Sequence, residues 1–186
     1  MSTQFSFFTS IGLSVLVWSM VAWRYVWPRL RPLPRSEALQ PLLLLHAFRF
    51  VGLAFLVPGV VSPDLPPAFA HAAAYGDVVA ATLALLAFVA QSRGAGVLLV
   101  WIFNVWGTAD LLDAFYQASR TGLLPGELGA AYFIPTLVVP MLLVTHVMVF
   151  RVLLQQSSTV ERTGAGSRHQ RRGVQRPSLT TLEPGS

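Results

Sequence analysis

The sequence predicts an all-α bundle of five membrane-spanning helices, N-terminus outside and C-terminus in the cytoplasm, and three observations predict it. Of the 186 residues 54% are hydrophobic and 11% charged, less than half the roughly 25% charge that soluble domains carry. Apolar stretches near the ~20 residues that a bilayer-crossing helix needs recur five times, over residues 5–27, 40–62, 75–92, 97–117 and 130–154. All 13 basic side chains are arginine. Eleven of them fall on one side of that topology, matching the basic bias of short cytoplasmic loops.

The first span has no basic segment before it and no small-residue cleavage site, and its arginines, Arg24, Arg29, Arg31 and Arg35, follow it. It reads as a retained helix rather than a secretory signal. Trp23, Tyr25 and Trp27 stand where an interfacial aromatic belt belongs. "PRLRPLPR" is a rigid basic connector to the second span, which carries His46 and Arg49 in "LHAFRFVGLAFLVPG". "SPDLPPAFAHAAA" is expected as an outer loop without arginine. The third span then opens on "YGD", which puts Asp77 in a first helical turn, where a carboxylate satisfies exposed N–H groups. Along that span Ala80, Ala84 and Ala87 form a small-residue stripe for close packing.

"QSRGAG", with Arg93, returns the chain to the basic side, and the fourth span carries Asn104, Asp110 and Asp113. "RTGLLPGELG" is an outer turn holding the outer Arg120. In the last span Pro135 and Pro140 each remove a backbone donor and predict a kink. Arg151 closes it. The transmembrane domain is thus residues 1–154. Residues 155–186 lose apolar periodicity, gain Ser, Gly, Gln and Arg, and are expected to be a disordered basic cytoplasmic tail. Its arginines fix orientation or rest on anionic headgroups. Four spans would export that tail.

The absence of cysteine excludes disulfides, thiolate metal sites and a cysteine nucleophile. With no HExxH, phosphate loop or GxSxG, nothing supports a hydrolase or kinase, and no enzymatic activity is expected. The net charge of +5 fits topology better than nucleic acid. Arginine without lysine, a sole asparagine and abundant Ala, Gly, Pro and Leu suggest a GC-rich bacterial genome. The expected location is the bacterial cytoplasmic (inner) membrane, with lipid and possible membrane-protein neighbours as partners and no nucleic acid.

Function must use the few polar residues inside the spans. At ~1.5 Å per residue His46 lies about 9 Å and Arg49 about 14 Å above the basic end of the second span, Asn104 and Asp110 about 11 and 20 Å up the fourth, and His146 about 8 Å above Arg151. A mid-membrane arginine costs from about 3 to more than 10 kcal/mol unless it faces protein or water and finds acceptors. Asp110 and Asn104 are its expected anchors, whereas Asp77 and Asp113 near the outer ends are expected to be solvated. The set of His46, Arg49, Asn104, Asp110 and His146 is expected to bind a small anion or relay protons, with Arg49 as the charge and a histidine as the titrating group. A purely structural ion pair stays open beside that reading, as does an accessory membrane subunit. His46 and His146 share a depth, so haem b between them is a further alternative, which would make the protein the anchor of a redox enzyme.

At "LLHAFRFVGLAFLVPGVV", "YGD", "FNVWGTADLLDAFY" and "YFIPTLVVPMLLVTHVMVF" the chain resembles uncharacterised small multi-pass bacterial membrane proteins, over about residues 40–151. The resemblance implies a helical membrane fold, no activity and no site residues.

Overall fold

Among the described residues five helices are long and apolar enough to cross a membrane: α1 (Thr3–Leu30), α2 (Arg35–Leu56), α3 (Pro67–Val89), α4 (Gly96–Thr121) and α5 (Ile134–Gln155). They come from a computed structural model in which residues 3–92 and 95–155 are described. No strand occurs among the described residues, and the expected disordered tail from residue 156 onward lies outside them, as does Arg93.

Two apolar clusters show that the spans alternate in direction. One gathers the end of α1 (Ala22, Trp27, Leu30), the start of α2 (Ala38 to Leu43), the end of α3 (Ala84, Ala87), the start of α4 (Val100, Phe103) and the end of α5 (Met148 to Leu153). The other gathers the opposite ends, from Phe7, Phe55 and Phe69 to Leu111, Ile134 and Leu142. Arg24, Arg29, Arg31, Arg35 and Arg151 all belong to the first end, and Arg120 to the second. At the first end Arg151 sits over the rings of Trp23 and Trp27, 5.4 and 4.3 Å from their centroids, tying α5 to α1 by cation–π contact.

The third span corrects the expected boundary. The helix starts at Pro67, eight residues before residue 75. Proline suits a first helical position because its missing N–H would have no partner there, and the residues after it, "AFAHAAAY", continue the helix. Asp77 therefore lies ten residues in, about 15 Å from that end, and is no cap. It falls on the buried alanine face that runs through Ala70, Ala73, Ala80, Ala84 and Ala87.

The backbone of α2 changes character midway. Arg35–Ala47 is α-helical and Phe48–Leu56 continues as 3-10 helix. With three residues per turn, side chains three apart eclipse one another, so Arg49, Gly52 and Phe55 stack on one face, and these three are its buried residues. Near its start α5 holds a π turn, Ile134–Val138, at the predicted proline kink. Before it the 3-10 segment Pro125–Tyr132, kinked at Gly129 (φ 52°), docks on the segment after α2, through Ala130 N–H to Val60 O at 2.8 Å and Ser62 N–H to Glu127 O at 2.9 Å. Gly122 ends α4 in the left-handed conformation (φ 68°) that favours glycine.

Candidate functional site

Arg49 projects from the 3-10 half of α2 into the centre of the bundle, where it is 1% exposed. Its Nε donates to Asp77 Oδ1 of α3 at 2.7 Å and its Nη2 to Asp110 Oδ2 of α4 at 2.5 Å. Nη1 donates to the Gly107 carbonyl at 3.0 Å and faces His146 Nε2 of α5 at 3.4 Å. Four helices thus meet on one guanidinium, which answers the sequence's demand for acceptors: the cation is enclosed by protein and fully engaged.

His146 is held from its other side. Asn104 Nδ2 donates to the His146 carbonyl at 3.3 Å, which leaves Asn104 Oδ1 as acceptor for His146 Nδ1 at 2.7 Å. With its proton on Nδ1, the ring offers Nε2 as an acceptor to Arg49, which can only donate. The network therefore fits one neutral tautomer of His146. Asn104, expected beside Arg49, instead acts through this histidine, because it lies one turn closer to the arginine-rich end than Gly107, whose carbonyl Arg49 takes.

His46 is fully buried against the same ring, with centroids 4.1 Å apart, and Phe103 packs on both. Its Nε2 lies 3.1 Å from the Thr145 hydroxyl, while its Nδ1 is buried with no hydrogen-bond partner. Bis-histidine haem ligation needs the two rings on opposite faces of a porphyrin. Here the rings touch each other and both Nε2 atoms are already engaged, so this arrangement does not fit haem b.

Three glycines make the close approach possible. A Cβ at Gly107 would fall 2.6–2.9 Å from the His146 ring and Arg49 Nη1. One at Gly52 would overlap the Asp77 carboxylate, and one at Gly76 the Asp110 carboxylate. Each charged or polar partner thus rests against a glycine of a neighbouring helix, where no other residue leaves room.

Sequence reasoning missed Asp77. From the sequence Asp77 reads as a solvated cap, because the apolar run begins beside it; the buried alanine stripe, extended one step back from Ala80, passes through position 77. Asp113, by contrast, is exposed.

The two acids also border a cavity of about 460 Å³ in the half of the bundle away from the arginine-rich end. Its walls are mostly apolar, with Phe7, Phe8, Phe55, Phe69 and Phe115 contributed by four helices. The side chains of Asp77 and Asp110 are 10% and 14% exposed, against 0% for Arg49. One arginine against two aspartates leaves the cluster a formal charge of −1, and Arg49 is not among the residues that line the cavity. A small anion, the ligand first expected at Arg49, would meet carboxylates instead.

Among the described residues no group of three or more His, Asp or Glu side chains is placed to hold a metal ion. Neither a curated protein nor a solved structure matches the chain. A family model does match: from residue 6 in the first span to residue 154 in the last, the chain belongs to the family described as Domain of unknown function (DUF8737).

Proposed function

We propose that this is a five-span protein of a bacterial cytoplasmic membrane, with its N-terminus outside and its C-terminus inside, that presents an outward-facing proton-exchange site. Asp77 and Asp110 take up and release a proton through the cavity, and Arg49 is the fixed cation that holds both acids in place. The orientation is supported by the five arginines gathered at one end of the described bundle against Arg120 at the other. Trp23 and Trp27 beside Arg151 suit the membrane interface on that arginine-rich side.

One observation carries the reading: the carboxylates border the cavity and the arginine between them does not. An ionisable residue inside a span that faces a cavity is by default a functional group. On the other side of Arg49 stand the buried His146, His46 and Phe103 rings, and in this reading proton entry and exit share the outer side, where the carboxylates meet the cavity.

Infrared spectroscopy of reconstituted protein tests the proposal. Titrated from about pH 4 to about pH 9, the native protein should show a carboxyl C=O band that responds to pH and to D2O and that shrinks in both Asp77→Asn and Asp110→Asn. Spectra identical to native in both variants would overturn it.

A further inference from the structure

We infer that the cavity receives an amphipathic organic cation, its ammonium seated on Asp77 and Asp110 and its apolar body among the phenylalanines. This rests on the proton-exchange reading above and names the ligand that takes the proton's place.

Four features of the cavity lead to that ligand. Its volume of about 460 Å³ lies within the range of small-molecule sites, about 300–1,000 Å³. Its floor has two carboxylates against one enclosed cation, so a single positive charge neutralises the cluster. Its walls carry five phenylalanines, whose ring faces attract a desolvated cation and whose area accepts an apolar body. No arginine borders it among the described residues, and Arg49, bonded behind the two acids, offsets only one of their charges, so a cation is still favoured there over an anion. A lipid chain would find the apolar wall equally suitable and would gain nothing from the acid floor, which makes charge the discriminating property.

The test uses the full chain in phosphatidylcholine vesicles and three probes of similar size: phenethylammonium, neutral phenylpropanol and anionic phenylpropionate. Saturable binding of labelled phenethylammonium is expected, with the neutral and anionic probes roughly tenfold or more weaker. Asp110→Asn should weaken the cation by a similar factor. Because that substitution also removes a partner of Arg49, Ala114→Phe serves as a second variant. Ala114 lines the cavity one turn beyond Asp110, and the larger ring should abolish binding while the protein still melts cooperatively.

Equal binding of the alcohol would identify an apolar recess for lipid and overturn the inference, as would tighter binding of the carboxylate, no saturable binding, or binding unaffected by Ala114→Phe. If the pH-dependent carboxyl band is present and phenethylammonium does not bind, only this inference fails. If the band itself is absent, the proton-exchange reading fails first.

Discussion

On the two sides of Arg49 the same five helices pack in different ways. Toward the arginine-rich end small residues meet large ones, with Ala38, Ala84 and Ala87 set among Leu39, Leu43, Phe103 and Val149, all of them 0–1% exposed. Toward the other end bulky rings face one another, as in the edge-on pairs Phe55–Phe69 and Phe7–Tyr132, and the cavity remains between them. Irregular backbone occurs on both sides: at the arginine-rich end α1 holds a π turn, Ala22–Val26, and a 3-10 turn, Ala90–Ser92, follows α3. The 3-10 half of α2, the π turn of α5 and the 3-10 segment Pro125–Tyr132 all lie on the cavity side. Around the alanines the helices close together, while a second, mostly apolar recess of about 540 Å³ lies at the arginine-rich end between α1, α2 and α5, lined by Trp18, Tyr25, Pro41 and Met148 among others. What distinguishes the far cavity is that acids border it. The arginine layer separates the two sides and belongs to both.

Removing that layer should produce the largest effect. Arg49→Gln leaves Asp77 and Asp110 facing each other without a cation, and breaking a buried charge pair by deleting one partner typically costs about 3–5 kcal/mol. Chemical unfolding in detergent should register a loss of that order. Adding Asp77→Asn and Asp110→Asn to Arg49→Gln should recover part of it, because the uncompensated acids are then gone. A native-like unfolding curve for Arg49→Gln alone would mean that the layer does not hold the two halves together.

The next effect separates the halves directly. Ala84 is 0% exposed on the alanine-packed face of α3, so Ala84→Leu has no space for its added carbons. Overpacking of this kind costs about 1–3 kcal/mol, read by the same unfolding measurement. Tolerance of leucine at position 84 would remove the distinction between the close-packed alanine face and the cavity side.

How far these features could be read from the sequence depends on the physics behind each. The number of spans is legible because helix length and apolar content are properties of a continuous segment, and the helices agree with the five predicted stretches apart from their ends. The Arg49–Asp110 contact is legible because depth follows from a constant rise, and the shared depth of His46 and His146 is legible for the same reason. Direction around the helix is a different matter. The 3-10 geometry that stacks Arg49, Gly52 and Phe55 departs from the regular α-helix assumed in placing the span's residues, and depth alone carries no information on facing direction. Gly52, Gly76 and Gly107 carry no chemical label, and their role appears only when a neighbouring helix comes into contact. Asp77 fell between the two cases: its depth was misjudged from a helix boundary, the least secure feature of an apolar run flanked by prolines.

The smallest expected effect is the counterpart of Ala84→Leu on the cavity side. Ala114 borders the cavity and is only partly buried, so leucine there projects into existing space and displaces no side chain. Stability should change by no more than about 0.5 kcal/mol, the usual range where no packing, charge or capping feature is disturbed. The added apolar contacts oppose any loss. The same substitution narrows the path to Asp110, so phenethylammonium binding should weaken although the protein unfolds as the native chain does. Equal destabilisation by leucine at positions 84 and 114 would mean that the cavity side is filled or collapses in the membrane. A stable Ala114→Leu protein with undiminished cation binding would place the cation elsewhere, because the two alanines then differ in packing alone.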